Sequence, residues 1–140
     1  AHNSAKALDT ETLSDPKVIG GLTGAYATTK LALTTMGTAM AGELHGEGIM
    51  LRSVSPGGVV TPMTKTSDAM PGIRKLFVPL FFNAPDKQAA KMIHAAQTDS
   101  IGGRAGVYIT NGKEKPLPKL AVDQDVQARL KAKLTADAGL

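Results

Sequence analysis

The stretch "GAYATTKLALTTMGTAMAGELHGEGIMLRSVSPGG", residues 24–58, holds the change of pattern on which the fold turns. Its first part reads as a helix from Gly24 to about His45. Leu33, Met36, Met40 and Leu44 recur at spacings of three and four, which predicts one buried helix face. Gly46 and Gly48 stop that helix. "IMLRSVS", residues 49–55, then reads as a strand, and Pro56-Gly57-Gly58 ends it.

The same alternation continues outward. Residues 1–23 read as a loop with a turn at Asp15-Pro16 and a joint at Gly20-Gly21. Residues 62–84 form an irregular apolar stretch cut by Pro62, Pro71 and Pro79, lid-like in character. Pro85 suits a first helical position, and the helix it opens runs to about Gln97. "AGVYITN", residues 105–111, reads as a second strand, "EKPLPKL" as a loop, and Asp123 to about Ala136 as a final helix. This is α/β alternation with two parallel strands and about three helices. Two strands are too few for a stable parallel sheet, which is normally covered on both faces. The expectation is therefore that residues 1–140 are one incomplete domain.

Composition excludes several classes. The 140 residues are 42% hydrophobic and 20% charged, as in globular chains. The apolar runs fall far short of the roughly 20 residues that span a bilayer. Ala1–Asp9 has no apolar leader core, so cytoplasmic residence is the expectation. Without cysteine there is neither a disulfide framework nor a thiolate metal site. His2, His45 and His94 are isolated, and no metal site is expected. The net charge is +4, but the 16 Lys and Arg are scattered and only five residues are aromatic. That is a solvated basic surface, not the basic stripe with stacking rings that nucleic-acid binding needs.

Two motifs carry chemistry. Tyr26 and Lys30 stand four residues apart, on one face of the long helix. A tyrosine hydroxyl exchanges protons poorly at neutral pH unless its phenolate is stabilised, and an ammonium one turn away supplies that stabilisation. Such a pair can act as general acid and base for a carbonyl–alcohol couple. By chance alone a Tyr-x-x-x-Lys turns up in roughly one such chain in six. The second motif is "SVSPGGVVTPM", residues 53–63, a strand end where Pro-Gly lets backbone approach a ligand and Thr61 adds a hydroxyl. Gly42, Gly46 and Gly48 also mimic a phosphate-binding glycine spacing. They follow a helix and precede a strand, the reverse of what phosphate binding needs, and read as a helix stop.

Together, Tyr-x-x-x-Lys opening a helix and then a strand ending in Pro-Gly-x-Val-x-Thr resemble the short-chain dehydrogenase/reductase family. The C-terminal half of that family is the part resembled, and the branch containing retinol dehydrogenases is nearest. The resemblance implies the C-terminal part of a Rossmann-type doubly wound sheet and an oxidoreductase using NAD or NADP. It implies that Tyr26 is the catalytic acid–base and that Lys30 holds the nicotinamide ribose. Pro56, Gly57, Val59 and Thr61 would line the nicotinamide end, with the Val59 backbone near the carboxamide. Ser4 is a candidate for the family's catalytic Ser, the alternative being a Ser upstream of Ala1; Ser14 reads as a turn residue. Arg52 stands where family members often have Asn. The glycine-rich turn, the residue choosing NAD or NADP and the family's catalytic Asn have no counterpart here. The implied substrate is a small, lipophilic alcohol or carbonyl compound, and the parent enzyme is expected to be a homo-oligomer. The competing expectation is a catalytically inert dimerisation fragment, built on the Tyr-bearing helix.

Overall fold

The computed structural model describes residues 5, 8–11, 13, 21–60, 83–97 and 105–139. The elements, in chain order, are α1 (Gly21–Gly46), β1 (Ser53–Ser55), α2 (Pro85–Gln97), β2 (Tyr108–Thr110), β3 (Lys113–Lys115), α3 (Lys119–Val122) and α4 (Gln124–Ala138). They fall into two compact units. One comprises Ala1–Ser53, Gly103–Val107 and Pro116–Leu140, and the other Val54–Gly102 and Tyr108–Lys115.

In the first unit α1 is the organising element. Its buried side chains are Ala27, Leu31, Ala32, Thr34, Thr35 and Ala41. The expected face was a different one: Leu33 is 65% exposed, while Met36, Met40 and Leu44 are half-buried. The reason is close packing by small side chains. Gly37 lies against the side chains of Leu51 and Ser53, and a Cβ on Gly106 would sit 3.1 Å from the Ala41 Cβ. Thr34, Thr35 and Thr38 donate their hydroxyls to the carbonyls of Lys30, Leu31 and Thr34, four residues back. A threonine satisfied in this way can be buried without leaving a polar group unpaired.

The end of α1 explains the glycine decoy. The Ile49 N–H donates to Leu44 C=O and the Gly48 N–H to His45 C=O, with Gly48 at φ +82°. This is a left-handed C-terminal cap, in which glycine carries no Cβ penalty. The core of the unit gathers Leu8, Leu31, Ala32, Ala121, Val126 and Leu130. Helix α4 is started by Asp123, whose carboxylate accepts from the N–H groups of Asp125 and Val126, and is ended by Gly139 at φ +71°. Lys131 of α4 pairs with Glu43 of α1 at 2.9 Å, an exposed contact of small energetic weight.

The strands form one sheet in the order β1-β2-β3. The Gly106 N–H donates to Leu51 C=O and the Ser53 N–H to Val107 C=O, so the two chains advance together and run parallel. A parallel pair needs a crossover, and α2 lies between β1 and β2 in the chain. The α/β reading holds, with two short elements, β3 and α3, added. β3 pairs antiparallel with β2, Thr110 opposite Lys113, across a turn of Asn111 (φ 51°) and Gly112 (φ 72°). Two successive positive φ values make this the tight hairpin turn that Asn-Gly favours. The stretch read as a loop thus contains the end of β3 and the start of α3, and the sheet is mixed. Helix α2 starts at Pro85, as expected from a proline at the first helical position.

Candidate active site

Tyr26 and Lys30 lie near the start of α1 on its solvent side, whereas Ala27 and Leu31, each one residue on, are buried. Tyr26 is 57% exposed. The Lys30 ammonium sits over the Tyr26 ring, 5.7 Å from its centroid. A cation on the ring face at an exposed site is worth about 0.5–1 kcal/mol. So weak a contact aligns the pair without locking it. Thr29, between them in sequence, donates its hydroxyl to the Ala25 and Tyr26 carbonyls.

The strand-end motif is built in the second unit. Gly57 takes φ +79°, and a Cβ there would meet the Asn111 Oδ1 at 2.9 Å. Glycine is therefore required twice over, by the backbone conformation and by the Asn111 carboxamide packed against it. Further along, the Val60 N–H donates to Asn83 C=O and the Asn83 N–H to Gly58 C=O, both at 3.0 Å. This parallel bridge centres on Val59 and Asn83. In such a bridge the two bonds come from the neighbours of Val59, so its own N–H and C=O are directed away from Asn83.

Sequence reasoning passed over two residues that shape this turn, Asn111 and Gln88. The Asn-Gly dipeptide was the available signal for the first. Gln88, in the first turn of α2, is buried and donates its Nε2 to the Gly58 carbonyl at 3.4 Å. Nothing in its local sequence signals that burial. Thr61, Ser4, Ser14 and residues 62–82 of the lid-like stretch lie outside the described residues. Tyr26 and Lys30 belong to one compact unit and Pro56, Gly57 and Val59 to the other. No described helix is long and apolar enough to cross a membrane.

The family profile described as short chain dehydrogenase matches residues 17–72, which include both motifs. The chain is similar to a polyprenol dehydrogenase of Danio rerio, with 29% identity over 119 residues, covering 83% of this chain and 37% of that protein. The chain thus spans little more than a third of that relative's length. No solved structure matches it. The segment bearing Tyr26, Lys30 and Pro56–Thr61 lies within the residues that the short chain dehydrogenase profile matches.

Proposed function

We propose that this chain is the C-terminal part of an NAD- or NADP-dependent alcohol–carbonyl oxidoreductase, with Tyr26 as the general acid–base. The observation that carries the reading is the exposed Tyr26–Lys30 pair on α1, inside the segment matched by the family. In the oxidation direction the Tyr26 oxygen takes the hydroxyl proton of the alcohol, and in reduction it returns that proton to the carbonyl oxygen. The Lys30 ammonium stabilises the phenolate while Tyr26 is deprotonated and donates to the nicotinamide ribose. The nicotinamide, when bound, supplies or accepts the hydride.

The residues present suit that cofactor's nicotinamide end. Gly57 carries no side chain, which suits close approach of a carboxamide to the backbone of the turn after β1. Ser4 is the candidate for a second hydroxyl at the reacting oxygen. The substrate class we favour is a long-chain, lipophilic allylic alcohol or its carbonyl partner. The apolar character of residues 62–84 and the name of the Danio rerio relative both support it. Residence in the cytoplasm and a homo-oligomeric parent are parts of the same proposal.

The test is steady-state kinetics of the full-length protein with NAD and NADP on an isoprenoid alcohol. Tyr26→Phe should bind the cofactor as the parent does and lose about 10²- to 10⁴-fold in kcat. An unchanged kcat would remove Tyr26 from the mechanism. Failure of the parent to bind either dinucleotide would remove the oxidoreductase reading altogether.

A further inference from the structure

The turn that follows β1 is braced within its own unit by three amide side chains or peptides. Asn83 bonds through its backbone to either side of Val59. The Asn111 carboxamide fills the space beside Gly57. The third brace is Gln88, only 2% exposed, whose Nε2 donates to the Gly58 carbonyl. Its Oε1, equally buried, has no hydrogen-bond partner among the described residues. A half-satisfied buried amide is unfavourable, and a methionine of similar shape would fill the space without the unpaired oxygen. Stability therefore does not account for an amide at this position. The one bond it makes goes to the peptide next to Val59, the residue whose backbone is assigned to the nicotinamide carboxamide.

We propose that Gln88 is a positioning residue for the nicotinamide end of the cofactor, acting through the Gly58 peptide rather than by touching the ligand. This rests on the dinucleotide reading above. Its burial keeps it from direct contact, and its Nε2 fixes the plane of the Gly58–Val59 peptide that the carboxamide meets. The spare Oε1 leaves the amide a second bond to make when the turn tightens on its ligand.

The experiment uses the full-length protein, with Gln88→Met to keep the volume and remove the amide. The expected result is a rise of about tenfold in the KM for the dinucleotide, with the KM for the alcohol unchanged. Equal changes in both KM values, or no change in either, would overturn the proposal. Should Gln88→Met fail to fold, the side-chain amide resonance of Gln88 in the wild-type protein gives the answer. It should shift on titration with NAD or NADP and stay still with ADP-ribose, which lacks the nicotinamide. A resonance that responds to both or to neither overturns the positioning role while leaving the cofactor reading intact. A wild-type protein that binds no dinucleotide overturns both.

Discussion

Gly57 shows how much a single position constrains this chain. Its φ of +79° is unfavourable for any residue with a Cβ, and the Asn111 Oδ1 stands 2.9 Å from where that Cβ would be. Left-handed backbone costs roughly 1–2 kcal/mol for an L-residue, and the contact adds to it. Gly57→Ala should therefore lower stability by about 2 kcal/mol, read by denaturant unfolding. Asn111→Gly in that background, which keeps a residue tolerant of positive φ, should restore the part due to the contact. No recovery would mean that Asn111 yields freely. Residues of this kind divide sharply in how legible they are from sequence. Tyr26, Lys30, Gly57 and Val59 stand out because the proposed proton transfer and close backbone approach would demand particular residue types at fixed spacing. Gln88 does not stand out, because an amide in the first turn of a helix is usually solvated. Only the packing of α2 on the Gly58 carbonyl makes it notable.

At the scale of the element, α1 was legible as a helix and illegible as a surface. Its stop at Gly46 and Gly48 follows from sequence, and so does its start to within three residues, the helix opening at Gly21 where Gly24 was expected. Its buried face does not, because apolar periodicity gives weight to Leu33 and the methionines and passes over Ala, Gly and Thr. Close approach to a strand selects the small residues instead, and back-bonded threonines lose their polarity as far as burial is concerned. Two substitutions separate these faces. Ala41→Leu places three more carbons where the Ala41 Cβ already lies 3.1 Å from a Cβ built on Gly106, and should cost about 1–3 kcal/mol. Leu33→Lys, on the exposed side, should change stability by no more than about 0.5 kcal/mol. Thermal unfolding of both variants decides it: a larger loss for Leu33→Lys would restore the apolar stripe as the buried face. The hairpin was the other missed element. Its Asn111-Gly112 signal was on the page, but the flanking Lys-Glu-Lys carries no apolar alternation to mark a strand.

For the whole molecule, the decisive feature is the edge of the sheet. With the order β1-β2-β3, β1 has β2 on one side and no other described strand on the other. Ile49 and Met50, which lead into β1, are 50% and 38% exposed. A parallel strand with an open edge and apolar flanks is exposed to aggregation, and parallel sheets are normally buried. The α/β alternation was legible because it is written in chain order, and its two parallel strands were already too few to stand alone; what would lie beside β1 was not legible, because a neighbouring strand leaves no trace in the residues next to it. Gly42, Gly46 and Gly48, whose spacing mimics a phosphate-binding turn, lie at the end of α1 and not ahead of a helix N-terminus, so they do not cradle a pyrophosphate. Under the function proposed above, further chain supplies the strand beside β1 and the rest of the dinucleotide site, and coverage of 37% of the Danio rerio relative supports that reading. Residues 1–140 on their own should then melt broadly at low temperature and bind an apolar-surface dye. They should neither bind NADH or NADPH tightly by fluorescence nor oxidise alcohols, although Tyr26 and Lys30 are in place. A sharp, high-temperature melt of a monomer would show that β1 needs no neighbour. Tight dinucleotide binding with turnover would show that these residues hold a complete site, and the proposed division of labour would fall.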